Sequence, residues 1–410
     1  MSESGSIFIY GINYAPEVTG VGRYTADIAQ YLAEKDSVVE VVTAAPHYPG
    51  WKIHSGFKNR FSKAVERSVL VWRCPLILRE KSVGIWRLVP PLSFAILSAP
   101  LAAWRILRQR PTTVLCIEPT LLTAPIALMA AKLVGAKTVL HIQDLEFDAA
   151  FAVGHLRSQV LQRIAAGVER LILRHFDTII TISRQMRERI LSKKVDPARV
   201  KVVRNWVDLD KIKPMNLPSS YRKELGFSVS DFVVLYAGNI GPKQALPVLL
   251  EAADQLNAHS DIKFVLAGDG PEKERLIAQF GGLPNVHFLS VQPEDSLCDL
   301  LNLPNVHVLP AQKGTADLVL PSKLGGMLAS GKPSIVLAEP RSELHEFLEG
   351  CAFLFPPGDS TVLAKAILEL YQKPDISGDL QWSAKVNELS SVTNLATFRF
   401  LLLDATCESV

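Results

Sequence analysis

Short β-branched and aromatic runs recur along this chain at intervals that leave room for one helix between each pair, and the series begins twice. The first round offers Ile7 to Tyr10, Val38 to Thr43, Thr113 to Ile117, Thr138 to Ile142 and Thr178 to Ile182 as strands. Apolar runs spaced this way predict a mostly parallel sheet with helices between its strands. FDTIITIS ends at Ser183, which is placed to cap the amphipathic helix of RQMRERILSKK. VKVVRN then reads as a strand, and WVDLDKIKP leads into a linker between Trp206 and Pro218. The second round has strands at Phe232 to Tyr236, Ile262 to Leu266, Val286 to Leu289, Val306 to Leu309, Ser334 to Val336 and Phe353 to Phe355, with a helix over Ala245 to Leu256. The expected architecture is α/β, with two Rossmann-like doubly wound domains, 1–205 and 206–385, facing a central cleft. Ligands are expected beyond the carboxyl ends of the strands.

Length points the same way, because 410 residues exceed what one core holds, about 250–300. With 44 basic and 41 acidic residues the net charge is only +3, so no field suited to general nucleic-acid binding arises. The five cysteines show no paired spacing, which argues against a zinc site or a disulfide framework and fits a reducing cytoplasm. The opening MSESGSIFIYGINYAP lacks the pattern of a signal peptide. The stretch Leu88 to Ala103 carries three prolines and is shorter than the roughly 20 residues a spanning helix needs. P-loop, HExxH, GxSxG and His/Cys metal signatures are absent from the sequence, and no metal is expected.

Four segments carry candidate chemistry. Gly20 and Gly22 precede a helix, where small residues let backbone N–H groups approach a phosphate. His141 and Asp144 end an apolar strand, and Asp144, Glu146 and Asp148 form an acidic group able to orient hydroxyls or accept a proton. Gly238, Asn239, Lys243 and Gln244 lie between a strand and a helix, with donors suited to a diphosphate. In LPSKLGGMLASGKPSIV, Ser322 and Lys323 open a helix where hydroxyl, ammonium and N–H groups converge. Each has a plainer reading as a turn, a cap or a buried strand residue.

INYAPEVTGVGRYTADIAQYL, APHYPGW, LHIQDLEFDAAF, FDTIITIS with RNWVDLD, YAGNIGPKQAL, VLAGDGPEKERL and PSKLGGMLASGKP occur in this order over almost the whole chain. In this the chain resembles the retaining GT-B transferases of glycosyltransferase family 4, in their colanic-acid and exopolysaccharide branch. The resemblance implies metal-independent transfer from a UDP- or GDP-linked nucleotide-sugar to a saccharide or lipid-linked acceptor. It gives Gly20 and Gly22 to the donor phosphates and Asp144 to the acid after the fourth strand. It sets Gly268 and Leu289 beside nucleotide and base, Ser322, Lys323 and Leu324 at the diphosphate, and the segment from about 386 to 410 back on the first domain.

Two departures stand out. Asn239 and Gln244 take the places of an arginine and a lysine, with Lys243 one residue off, and Leu318 and Gly326 take those of two glutamates, with Asp317 beside the first. A non-catalytic homologue that binds or scaffolds, or a nucleotide-sugar epimerase, are the alternatives. Trp86, Arg87, Trp104, Arg105, Arg108 and Arg110 flank an apolar stretch whose composition suits either a buried helix or a peripheral contact with the inner membrane face.

Overall fold

A computed structural model describes residues 5–17, 20–48, 50–78, 88–145, 159–312, 318–373 and 382–404. The chain divides into two compact units, 1–204 with 395–410, and 205–394.

The first unit is built on an eight-stranded sheet: β1 (Ser6–Tyr10), β2 (Val38–Ala44), β3 (Ser62–Glu66), β4 (Val69–Cys74), β5 (Thr113–Glu118), β6 (Lys137–Ile142), β7 (Thr178–Thr181) and β8 (Val200–Val202). Its order is β3-β4-β2-β1-β5-β6-β7-β8. Every neighbouring pair is parallel except β3 with β4. The inner strands are apolar at nearly every position because both faces are covered; all six residues of β5 are buried. Helices α1 (Val21–Glu34), α2 (Val89–Gln109), α3 (Ala124–Val134), α4 (Gln159–Leu173) and α5 (Arg184–Ser192) connect the strands. Ser183 caps α5 as the sequence suggests, its Oγ accepting from the Met186 N–H at 2.9 Å.

Among the described residues, α2 alone has the length and apolarity to cross a membrane. Here it packs on the sheet, burying Phe94, Ala102 and Ile106, while the Tyr10 and Ser98 hydroxyls meet at 2.6 Å.

The second unit holds β9 (Phe232–Ala237), β10 (Ile262–Ala267), β11 (Val286–Leu289), β12 (Val306–Leu309), β13 (Ser334–Leu337) and β14 (Phe353–Phe355). The order is β11-β10-β9-β12-β13-β14, parallel throughout. Helices α6 (Leu246–Gln255), α7 (Lys273–Phe280), α8 (Lys323–Ala329) and α9 (Ser360–Gln372) are among its connections. A core from Phe264, Leu266, Leu249, Leu250 and Ile367 fills one face, and Leu324, Leu328, Leu344 and Val336 fill another cluster.

Helix α10 (Ser391–Leu403) spans the division, and its residues from Leu395 onward belong to the first unit. There Thr113 Oγ1 donates to the Leu402 carbonyl at 2.8 Å. The Lys137 ammonium donates to the Leu401 carbonyl at 2.9 Å and to that of Asp404 at 2.6 Å. A cation on carbonyls of the last turn also suits the negative end of the helix dipole.

In each sheet the winding reverses once, between β1 and β5 in the first unit and between β9 and β12 in the second. Those reversals are where doubly wound sheets open a crevice for ligands.

Candidate functional site

In the second unit, β9 ends on Tyr236 and Ala237, and the chain turns at Gly238 with φ of 147°. A β-carbon at Gly238 would lie 3.2 Å from the Lys323 Nζ, so the bare backbone makes room for that side chain. The next turn is held even closer. A β-carbon at Gly268 would sit 1.9 Å from the Gly238 carbonyl oxygen, and one at Gly270 2.3 Å from that of Ile240. Contact at such range excludes any other residue type at these two positions.

The two loops are also joined by hydrogen bonds. The Gly238 N–H donates to Ala267 O and the Ile240 N–H to Asp269 O, each at 2.8 Å, and the Glu272 N–H donates to Ile240 O at 3.1 Å. Lys273, from the first turn of α7, donates to Gly268 O at 2.8 Å and to Leu289 O at 3.1 Å. It thereby fastens the ends of β10 and β11.

Lys323 lies inside this frame. Its ammonium donates to the Tyr236 hydroxyl at 2.6 Å and lies 4.1 Å from that ring's centroid. The same hydroxyl donates to the Asn239 carbonyl at 2.5 Å. Burial brings the Lys323 pKa down to about 7, since a charged amine removed from water loses hydration. Burial likewise raises the Tyr236 phenol above its ordinary range, which keeps it protonated as the bridge. The result is a cation held on a neutral hydroxyl and an aromatic face, an arrangement that gains when an anion arrives.

The other expected residues of this unit divide by accessibility. Gly238, Asn239, Gly268, Leu289 and Lys323 come together at the ends of β9, β10 and β11. Lys243 is exposed on the short turn Pro242–Gln244, whereas the buried Gln244 Oε1 has no hydrogen-bond partner among the described residues. Ser322 is exposed and its hydroxyl makes no capping bond, so it is not committed to the helix. Leu324 is fully buried in the core and its N–H already donates to Pro321 O at 3.0 Å. α8 is only seven residues long, which puts the local positive charge on the Lys323 side chain more than on a helix dipole. At Gly326 a β-carbon would meet Leu301 Cδ1 at 2.9 Å. Asp317 lies outside the described residues.

In the first unit, Gly20 sits at φ 66° just before α1, and a β-carbon there would lie 3.2 Å from the Tyr48 ring. Gly22 is buried, with its missing β-carbon 2.7 Å from Glu17 Oε2. The space these glycines leave is therefore taken by neighbours of the same unit. Asp144 is exposed just after β6, and Glu146 and Asp148 lie outside the described residues.

His141 is 1% exposed, its ring 4.8 Å edge-on from Phe398, and burial lowers its pKa to about 3. It is a neutral interior residue behind α10. No group of three or more His, Cys, Asp or Glu side chains suited to a metal occurs among the described residues.

Sequence reasoning missed Tyr236, Lys273 and Glu17. A tyrosine in a buried strand reads as core, and the other two carry no periodic signal. Lys273 could have been noticed as the basic residue that follows Glu272 after a Gly-Asp-Gly-Pro turn.

Comparison with known proteins bears on both units. Residues 19–206 match the family model described as a glycosyl transferase 4-like domain, and residues 231–373 match that of glycosyl transferases group 1. The chain is 36% identical over 379 residues to WcaI of Escherichia coli K12, by name a colanic acid biosynthesis glycosyl transferase, covering 90% of this chain and 92% of that one. Sucrose-phosphate synthase of Thermosynechococcus elongatus shares the fold at a TM-score of 0.71 and 17% identity, covering 97% and 98% of the two chains. Anabaena HepE, solved in complex with UDP-glucose, shares it at 0.69 and 17%, covering 97% and 99%.

Proposed function

This chain belongs to the GT-B glycosyltransferases that join a 4-like domain to a group 1 domain, and on that premise we propose that it moves a sugar from a UDP- or GDP-linked donor to a saccharide or lipid-linked acceptor. The single observation that carries the reading is the Lys323 ammonium, buried against Tyr236 at the end of β9. A diphosphate placed there meets a cation that has given up much of its water, so their attraction is little screened. As the bond to the sugar breaks, negative charge grows on the nucleotide, and a pre-placed ammonium stabilises it. The resemblance to WcaI supports a role in making colanic acid or a related exopolysaccharide.

Retention of anomeric configuration and independence of metal ions belong to the same proposal. Proton NMR of the first-formed product reports the anomer, and full activity in excess EDTA is the expected result. Asp144 is the acceptor-facing residue of the reading, since it is exposed at the end of β6, whereas buried His141 serves to shape that end of the strand.

The deciding experiment is a thermal-shift panel of UDP-, GDP-, ADP- and TDP-sugars, in which a bound donor raises Tm by mass action. Stabilisation by a UDP- or GDP-sugar that disappears in Lys323→Ala is expected. Equal stabilisation of the variant would show that the diphosphate sits elsewhere.

A second reading draws on Leu318 and Gly326, which place no carboxylate where the family holds sugar and ribose. On it the protein binds a nucleotide-sugar without transferring it. Nucleotide release on adding acceptor separates the two, and interconversion of donors without acceptor would instead mark an epimerase.

We place the protein at the cytoplasmic face of the membrane as a peripheral protein. α2 and α3 pack together, and Leu92, Ile96 and Leu107 on one with Met129 and Leu133 on the other remain exposed. Arg108, Arg110 and Lys132, exposed toward the carboxyl ends of the two helices, supply charges that anionic headgroups attract. Arg105 is engaged differently, paired with Glu40 through Nη2 to Oε2 at 2.7 Å. Trp86 and Arg87 lie outside the described residues. Flotation with anionic liposomes tests the placement, and a protein left wholly in the soluble fraction would remove it.

A further inference from the structure

The loop after β2 carries three aromatic rings whose arrangement donor binding does not explain. Glu17, 2% exposed, projects beneath it. One carboxylate oxygen accepts the backbone N–H groups of His47 at 2.9 Å and Tyr48 at 3.0 Å, and the other accepts the Asn13 side-chain amide at 2.9 Å. His47 Nδ1 lies 3.0 Å from the Ala45 carbonyl and donates to it, and burial lowers this imidazole's pKa. His54 Nε2 meets the Tyr48 carbonyl at 3.0 Å, closing the loop from its far side.

What this fastening presents is aromatic. The Trp51 ring stands 5.9 Å from His47 and 6.5 Å from Tyr48, at 80° to the latter, yet Tyr48 and Trp51 each remain 37% exposed. Trp51 also occupies the left-handed region at φ 53°, costly for a bulky side chain next to a glycine that would adopt it freely. The loop on either side of it is closed by the Lys52 N–H donating to His47 O at 3.3 Å and the His54 N–H donating to Pro46 O at 3.0 Å. Loop and glycine turn both leave the carboxyl ends of the adjacent strands β1 and β2, where doubly wound sheets take their ligands.

We propose that Tyr48 and Trp51 form a stacking subsite for a sugar ring of the acceptor, with Glu17 as the positioning residue that holds their loop. A pyranose has one face of C–H bonds made partly positive by neighbouring oxygens, and the negative face of an aromatic ring is its natural partner. The hydroxyl edge of the same sugar suits the Tyr48 phenol and the wet rim. This inference rests on the transferase reading for the name acceptor, while its physical content is carbohydrate binding by the first unit.

Saturation-transfer NMR on the full chain tests it directly, using methyl glycosides of glucose, galactose, mannose and fucose as probes. We expect signal from at least one glycoside, falling about fivefold or more in Tyr48→Ala and in Trp51→Ala, but retained in Phe400→Ala, which removes an exposed ring elsewhere. Glu17→Ala should weaken it comparably, and Glu17→Gln, which keeps an oxygen for the two N–H groups, should restore most of it. Signals equal to wild type in both ring variants, or none from any glycoside with the wild type, overturn the subsite. UDP-sugar thermal shifts on the same samples report the transferase reading separately: stabilisation that survives loss of glycoside signal leaves the donor site standing.

Discussion

Each unit buries a charge near the carboxyl edge of its sheet, and the two charges are treated in opposite ways. Glu17 in the first is surrounded by donors, two backbone N–H groups and an amide, so its charge is spent on holding a loop. Among the described residues, Lys323 in the second is given one hydroxyl and the face of a ring, and its pKa falls toward neutrality. A buried charge with a full set of partners acts as a fastening, whereas one left short of them is poised for a ligand that completes the set.

The sharpest way to break this contrast is to delete each charge and compare stabilities. Glu17→Ala strands the donors that met the carboxylate and should cost about 3 kcal/mol in urea unfolding. A loss below about 1 kcal/mol would mean water replaces the carboxylate without penalty. Gly22→Ala pushes a methyl to 2.7 Å from Glu17 Oε2 and should cost about 2 kcal/mol, in the first unit only.

For Lys323→Met the order reverses. Stability should hold or rise, while donor turnover falls at least tenfold, on the order of 1.4 kcal/mol of transition-state stabilisation. A turnover loss matched by an equal stability loss would erase the distinction between the units.

Titration sharpens the same point. Lys323 binds its proton less tightly folded, at about 7, than unfolded, at 10.5. Between those values the unfolded chain holds more protons, so this group makes stability rise with pH, by up to about 1.4 kcal/mol per unit, and Lys323→Met should lack that increment. The full penalty of the buried charge is present below pH 7. A bound diphosphate restores the higher pKa, so donor binding should take up part of a proton near neutral pH and weaken as pH rises. Calorimetry in buffers of different ionisation enthalpy reads this smallest effect.

How much was legible beforehand follows from what each residue does. The twice-started series of β-branched runs marked every parallel strand of both sheets except β4 within a few residues, because strands buried on both faces have little choice of residue. The β3–β4 hairpin escaped notice. β3 is the charged, exposed edge SKAVE, and the turn uses Arg67 and Ser68 at φ 45° and 66°, where an Asn-Gly pair would have announced it. In the site, Lys323 was visible because a lysine at a helix start is unusual enough to question. Its dependence on Tyr236 was not, since a strand tyrosine and a core tyrosine look alike until the loop folds over it. Gly268 and Gly270 read as a turn, but only their distance from the neighbouring backbone shows why nothing larger fits.

Helix α10 bears on how such proteins are cut and recombined. Phe398 and Leu402, fully buried in the first unit, are encoded almost 200 codons after the rest of it ends at Arg204. A gene truncated at that point would yield a sheet whose β5 and β6 lack the cover that Thr113 and Lys137 secure. Exchange of specificities between relatives by a single crossover therefore carries a mismatched final helix, and a hybrid that keeps its own 395–404 should outlive one that does not.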